Sequence, residues 1–598
     1  MHQDDETMHE INEEGEREPP VLHSTQLPKP LTYLFILNGV TEALPDLALM
    51  AMVNDRIQIP VSFLPAYYAI SFLPYSLKPV YAIVAKMLRH RRNVLLIALL
   101  ISSSIAMQLT AFLENGQYVE CFLIAFVRGI CVSAAEFMVG LTLISSASNS
   151  IQSSGFLEQS GSDAKINKQR NHEKLLSCYQ SQAATSRNIG SFMAHIVTFG
   201  VILVLNDREM DDSLMTNFLL ATSLFPLIAA AVAFKSQIGR EVTGLGNYRS
   251  SDLGNQRRSI MGLLKYDIIA ILMLQVLLVM FGLQGLIVDS ISKDFFVILS
   301  VVVALLMTMA VLLAWKSQRQ SRYSALAVPN DESIEEDGND QLSRRLLFIK
   351  RIAMYLILRH ATPSSGIILS SFMYSVFRKR LLLLQSMSLA GSVMAIFSTW
   401  TYGKTLARRF ASLDRIKLVI IITTIASSIW SLLSIPFVRN LRELQDDDED
   451  DDDIALGVVL ITLYTVFQLV GSFLSELSFM PSVVLATTST IQEDFSLSDQ
   501  RDQDVNEAES CRNISFQDDE ANQRFRHNGI GLDSGIQYGI LIACIDFGDQ
   551  LSNFITMPII EALGISREND WQNLEWYIFV CSVSSIASLV FVLMLKSA

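Results

Sequence analysis

The chain has 598 residues, half of them hydrophobic, with a mean hydropathy of +0.35 and a formal net charge of −14 at pH 7. A soluble protein of this length needs more polar surface, and the negative charge argues against a nucleic-acid partner. Only helices and closed barrels satisfy their backbone groups in lipid, and the apolar runs here lack strict alternation. The composition therefore predicts an all-α polytopic membrane protein that resides in the lipid bilayer.

The first 30 residues are acidic and polar, so we expect 1–30 to be a disordered cytoplasmic tail without a cleavable signal peptide. Apolar runs then recur along the chain, and each is long enough to cross a bilayer as a helix. The predicted spans are 31–53, 61–85, 93–113, 118–145, 174–205, 214–235, 266–289, 294–315, 346–374, 382–403, 417–436, 454–485, 536–562 and 574–595.

Lys and Arg residues in the connections predict the orientation, because cytoplasmic connections are enriched in them. With the N-terminus inside, most basic residues fall on the cytoplasmic side, which also places the C-terminus inside. One connection disagrees, since Arg378, Lys379 and Arg380 fall outside. The acidic run 446–453 also falls outside. It is either a solvated loop or a vestibule that attracts cations.

Charged residues inside predicted spans are the main functional signal, because an ionised group at the bilayer centre costs at least about 3 kcal/mol. Such groups must face each other or a water-filled cavity. The cations are Lys78, Arg128, Arg187 and Arg359, and the acids in or beside spans include Glu42, Asp46, Glu136, Glu476, Asp546, Asp549 and Glu561. Their presence on many different spans predicts a polar pathway through a helical bundle.

Several of these residues keep a second interpretation. Lys78 either lines the pathway or snorkels to the interface, whereas Arg187 lies where snorkelling is harder. Arg128 and Glu136 lie two helical turns apart on one face and contact either other helices or a solute. Glu42 and Asp46 share a face at a spacing of four residues. Either carboxylate has the chemistry to exchange a coupling proton, although a structural carboxylate would look the same.

Prolines within the spans predict discontinuous helices, which transporters use near the membrane midplane, or ordinary kinks. The candidates are Pro45, Pro79, Pro363 and Pro481. The six cysteines are interpreted as packing residues. No phosphate-binding loop, zinc spacing or nucleophile motif is present in the sequence, so we expect neither an enzyme nor a cofactor.

A set of short motifs recurs in a definite order along the chain. They are Leu73-Pro74-Tyr75-Ser76-Leu77-Lys78-Pro79, Gln180-Ser181 with Ser186-Arg187 and Gly190, Thr362-Pro363-Ser364, and Phe479-Met480-Pro481-Ser482. In this order they resemble the folate–biopterin transporter family of the major facilitator superfamily, over most of 31–235 and 344–595. The family glutamate near the start of the penultimate helix is Gln537 here. The family's pair of aspartates in the fourth helix corresponds to Glu136 and Gly140. The chain is therefore similar to a divergent member.

The resemblance implies two six-helix bundles, 31–235 and 344–598, with a flexible loop at 486–535. The linker 236–343 would carry an extra helical hairpin at 266–315. It also implies a secondary transporter of a folate- or pterin-like solute, with or without proton coupling. The alternatives are a carrier of sugars, drugs or other organic anions, and a non-transporting scaffold or sensor. Substrate-site candidates are Glu42, Asp46, Lys78, Arg128, Glu136, Gln180, Arg187, Glu476, Gln537 and Asp546. The sequence decides neither the oligomeric state, for which a monomer suffices, nor the choice between plasma membrane and organelle.

Overall fold

The structure is a computed structural model that describes residues 27–88, 91–153, 162–204, 210–236, 349–406, 413–446, 462–486 and 519–595. The predicted hairpin 266–315, the tail before residue 27 and nearly all of the acidic run 446–453 lie outside these residues. We use "first half" for the described part of 27–236 and "second half" for the described part of 349–595.

The first half contains nine α-helices. They are α1 (Lys29–Ala43), α2 (Asp46–Ala51), α3 (Leu64–Phe72), α4 (Lys78–Met87), α5 (Arg92–Ala111), α6 (Tyr118–Ser153), α7 (Ser162–Val204), α8 (Asp212–Thr222) and α9 (Leu224–Ser236). The second half contains eight. They are α10 (349–360), α11 (Gly366–Phe377), α12 (Leu381–Thr401), α13 (Leu413–Leu433), α14 (Ile435–Asp446), α15 (462–486), α16 (Asp519–Leu563) and α17 (Leu574–Ala587).

The all-α class is confirmed for the part of the chain that the structure describes, which has no strand. Nine helical segments there are long and apolar enough to cross a membrane. Large apolar side chains such as Val204, Phe234 and Leu123 are exposed on them. Exposed side chains of this size and number fit a surface that faces lipid, because lipid tails solvate them as well as a protein core does. The chain is thus an integral, multi-pass membrane protein.

Three helices extend beyond the apolar runs that predict them. Helices α6 and α7 continue into the segment 146–173, which was expected to be a loop, and α16 begins at Asp519, inside the expected loop 486–535. The reason is that hydropathy reports only the part of a helix that lies in lipid. Polar residues outside the bilayer continue a helix equally well when they have sufficient helix propensity.

The four prolines expected to interrupt helices behave in two ways. Pro45 lies between α1 and α2, Pro79 lies in the first turn of α4 after a 3₁₀ segment, and Pro363 lies between α10 and α11. Helix α15 instead runs through Pro481 without interruption, which differs from the expected break. A proline removes one backbone donor, and a transmembrane helix tolerates this where neighbouring groups compensate.

Two glycines bring α1 and α7 into direct backbone contact. A Cβ atom on Gly39 would collide with the carbonyl of Arg187, and one on Gly190 would collide with the carbonyl of Ile36. Small residues at such crossings allow the close approach that drives helix association in lipid. Gly39 is three residues before Glu42, and Gly190 is three residues after Arg187. The crossing therefore fixes these two charged side chains against each other.

Candidate functional site

Arg187 connects two carboxylates that come from different helices. Its guanidinium Nη2 and Nε lie 2.6 and 2.9 Å from Oε2 of Glu42, on α1. Its Nη1 lies 3.0 Å from Oε1 of Glu136, on α6. Asn38 donates from Nδ2 to the other carboxylate oxygen of Glu42, at 3.2 Å. A charge-assisted, forked arrangement of this kind holds all three side chains in fixed positions.

This triad of Arg187, Glu42 and Glu136 lies between helices of the first half and is only partly buried. The side chain of Arg187 is 40% exposed, and those of Glu42 and Glu136 are 22% and 20% exposed. All three project from helices of the first half that pack against one another. Partial exposure of these in-span charges fits an opening between the helices, because an ionised group in a span needs a partner or water.

Three more charged candidates surround the triad without joining it. Arg128 acts electrostatically on Glu42 and Asp46, and Glu476 lies within electrostatic range of Arg187. Within the described ranges, none of these three (Arg128, Asp46, Glu476) forms an ion pair shorter than 4 Å. Glu476 belongs to α15, so the charged cluster includes the second half.

Lys78 pairs with Asp546 across the two halves. Its ammonium Nζ lies 2.7 Å from Oδ2 of Asp546, and the two side chains are only 8% and 20% exposed. The ammonium also lies 5.4 Å from the ring centroid of Tyr75. A lysine that snorkels would point to the interface, whereas Lys78 is buried and paired. This argues against snorkelling, and α4 and α16 are joined by a largely buried charge pair.

The remaining candidates are less informative. Gln180 is buried at the start of the apolar part of α7. Gln537 falls on α16, at a position where the structure describes the backbone only. Arg359 donates to the hydroxyls of Ser588, at 2.9 Å, and Thr424, at 2.6 Å. It thus belongs to the packing of the second half.

A second contact between the halves was not anticipated from the sequence. Arg567, in the connection between α16 and α17, donates to the side-chain and backbone oxygens of Asn54 in the first half. The hydroxyl of Tyr374 donates to Asp55. Arg378 lies 4.0 Å from the same carboxylate. Asn54 and Asp55 lie at the end of the first span, whereas Arg567 lies in a connection far along the chain, so the sequence pattern does not predict this contact.

No protein family profile and no curated protein matches this sequence. Among solved structures, the nucleoside transporter NupG is similar, with a TM-score of 0.46 and 11% identity over 95% of this chain and 99% of NupG. The xylose transporter XylE from E. coli, a proton:xylose symporter of the major facilitator superfamily, gives 0.45 and 10% over 94% and 97%. A bacterial homologue of the iron transporter ferroportin gives 0.42 and 10% over 96% and 100%.

Proposed function

We propose that this chain is a secondary transporter of the major facilitator type, which carries a folate- or pterin-like organic solute by alternating access and couples it to protons. The observation that carries the proposal is the triad of Arg187, Glu42 and Glu136, an ionic cluster that is solvent-accessible inside a lipid-facing bundle. A membrane anchor or scaffold does not need charged, hydrated groups in its interior. A transporter does need them, because its solute must cross the membrane along a polar pathway.

The balance of charge at the cluster argues for proton coupling. Four carboxylates, on Glu42, Asp46, Glu136 and Glu476, lie near two guanidiniums, on Arg128 and Arg187. An anionic solute that enters this net-negative region is repelled unless protons accompany it, since unscreened like charges inside a bundle repel strongly. A carboxylate-bearing solute therefore binds together with one or more protons.

The two arginines have different roles in this mechanism. Arg128 has no ion-pair partner within 4 Å among the described residues, so its guanidinium is available for the solute carboxylate. Arg187 is occupied by Glu42 and Glu136. When one of these carboxylates takes up a proton, its hold on Arg187 weakens, and the guanidinium turns toward the solute. Proton binding and solute binding thereby become a single event.

Movement of the two halves then exposes the cluster to alternate sides. The halves contact each other through the Lys78–Asp546 pair and, at the end of the first span, through the Arg567 contact with Asn54. Opening toward either side requires one of these contacts to separate. Charge pairs are suited to this, because a solvated pair costs little to break once water reaches it.

The decisive experiment is uptake in proteoliposomes with and without an inward proton gradient, using biopterin, folate and a panel of other organic anions and sugars. The intact chain should accumulate one solute only with the gradient. Glu42→Gln, which keeps shape and removes the exchangeable proton, should lose gradient-driven accumulation and keep solute exchange. Glu114→Gln, in an exposed connection, is the matched control and should behave as the intact chain.

Two results would contradict the proposal. Uptake of every compound no higher than in an Arg187→Ala variant would exclude a transporter of these solutes. Uptake of a neutral sugar, unaffected by the gradient and by Glu42→Gln, would replace the anion with another solute class and remove the coupling role of the triad.

A further inference from the structure

A cavity lies between the two halves, and none of the three triad residues lines it. It has a volume of about 550 Å³, within the usual range for small-molecule sites. Its walls come from the start of α1, the first membrane-spanning turns of α7 and the end of α12. The polar or aromatic side chains that line it include Lys29, Lys404, Trp400, Ser181, Thr185 and Gln182.

Its depth in the membrane follows from the ends of three spans. Lys29 lies just before the predicted span 31–53, Cys178 lies near the start of the predicted span 174–205, and Lys404 directly follows the predicted span 382–403. All three line the cavity. Span ends lie at the level of the lipid headgroups, where lysine and tryptophan side chains are common. The cavity is therefore at headgroup depth, at the end of the bundle where α1 begins.

The chemistry of the lining favours an anion. The Lys404 ammonium lies 4.6 Å from the ring centroid of Trp400, which is itself 48% exposed toward the outside of the bundle. Lys29 and Lys404 are exposed, and no Asp or Glu is among the residues that line the cavity. Two ammonium groups without a carboxylate between them create a positive potential in the cavity.

The polar side chains of α7 that line the cavity already make hydrogen bonds within the protein. Ser181 donates to the carbonyl of Thr399 at 2.9 Å, and Thr185 donates to the carbonyl of Ser181 at 2.8 Å. Gln182 accepts the backbone N–H of Leu27 at 2.7 Å. These donors and acceptors are already satisfied within the protein, so recognition falls to the two ammonium groups and to the indole.

We propose that this cavity binds the phosphate headgroup of an anionic phospholipid. The two lysines would contact the phosphate, and the acyl chains would lie along the exposed aromatic face of α12, where Phe397 stacks on Trp400 with ring centroids 6.0 Å apart. Basic cavities between spans at headgroup depth are suited to such lipids. Because its walls come from both halves, the bound lipid would bridge them.

The test uses the full chain, purified and reconstituted in nanodiscs of zwitterionic lipid. Dioctanoyl phosphatidylglycerol, dioctanoyl phosphatidylinositol phosphate, dioctanoyl phosphatidylcholine and inorganic phosphate are titrated separately, with the thermal midpoint and bound lipid by native mass spectrometry as readouts. Anionic lipids should raise the midpoint, whereas phosphatidylcholine should not. A double variant, Lys29→Gln with Lys404→Gln, should bind the anionic lipids about thirtyfold more weakly. Each lysine is expected to contribute a similar amount to the binding free energy of an anionic lipid, and the two effects on affinity multiply.

Lys235→Gln is the matched control, because Lys235 is exposed at the end of its own span and does not line the cavity. It should keep the affinity of the intact chain. Equal loss in this control would overturn the proposal by showing a general surface effect. Equal stabilisation by inorganic phosphate would overturn the lipid assignment, because the acyl chains would then contribute nothing. These readouts involve no transported solute, so they separate this inference from the proposed function.

Discussion

Arg187 and Arg359 are both partly buried arginines on helices, one in each half of the molecule, and they have different partners. Arg187 is held by the carboxylates of Glu42 and Glu136 and remains 40% exposed. Arg359 is held by the hydroxyls of Ser588 and Thr424. Hydroxyl groups keep their protons at any physiological pH, whereas carboxylates can take up a proton. The contacts of Arg359 are therefore permanent, and those of Arg187 can be switched.

The contrast assigns different tasks to the two halves. The first half contains a partly exposed arginine between two carboxylates, which are groups that can take up protons. The second half uses its arginine to join α10 to α13 and to the 3₁₀ turn after α17, and it contributes to the charged cluster through Glu476 on α15. Both arginines have hydrogen-bond partners, which a cation inside a span requires. Only Arg187 has carboxylate partners, which the proposed coupling to protons requires.

The largest expected effect on transport is that of Arg187→Gln. The variant removes the group that both carboxylates share, so two acids would lose their common partner, and uptake should fall by about a hundredfold or more, equivalent to roughly 3 kcal/mol. Arg187→Lys should fall less, because a point charge cannot reproduce the forked contacts. Initial uptake rates per folded molecule measure this. A Gln variant within twofold of the intact chain would remove Arg187 from the mechanism.

The Lys78–Asp546 pair tests the seam between the two halves. Asp546→Asn leaves a buried ammonium group, 8% exposed, without its partner, which costs about 3–5 kcal/mol. The double variant Lys78→Gln with Asp546→Asn removes both charges and should recover most of the thermal stability. Thermal unfolding in detergent and uptake are measured on both variants. If the double variant is no more stable than the single one, the charge pair is not what couples α4 to α16.

Arg359→Gln should act on stability alone. It replaces a charged donor to two hydroxyls, and hydrogen bonds to charged groups contribute about 1.5–3 kcal/mol each. Thermal unfolding should therefore occur at a lower temperature, while the proton dependence of uptake per folded molecule should stay the same. Thr424→Val, which deletes one acceptor and keeps the shape, serves as the milder control. A changed proton dependence of uptake would show that Arg359, like Arg187, takes part in the response to protons.

Much of this arrangement is predictable from the sequence, and the part that is not has a physical cause. In-span placement alone identifies Arg187, Glu42 and Glu136 as expensive charges that need partners. It does not say which charge meets which, because that depends on how two helices cross. The crossing is set by Gly39 and Gly190, where the absence of side chains permits backbone contact. A hydropathy profile does not contain that information.

The same limit explains Lys78 and the loops. From the sequence, Lys78 has two equally good interpretations, because its partner Asp546 is 468 positions away. Arg567, which contacts Asn54, lies in a connection, where no periodicity marks a buried face. Helix breaks are only partly predictable, because a proline removes a donor but the neighbours decide the outcome. Pro45 separates two helices, whereas α15 continues through Pro481.

The smallest expected effect concerns an ion pair of the first half that lies outside its interior. Arg56 Nε lies 3.8 Å from Oδ1 of Asp212, whose side chain is 75% exposed, and Arg56 also donates to the carbonyl of Ala111 at 3.2 Å. Asp212→Ala should change the free energy of unfolding by less than about 0.5 kcal/mol, because solvent and salt screen exposed pairs. Thermal unfolding at low and high salt measures it. Asp212→Ala should lower the free energy of unfolding far less than Arg359→Gln does. An equal decrease would show that burial and partner chemistry do not determine how much a charged residue contributes to stability.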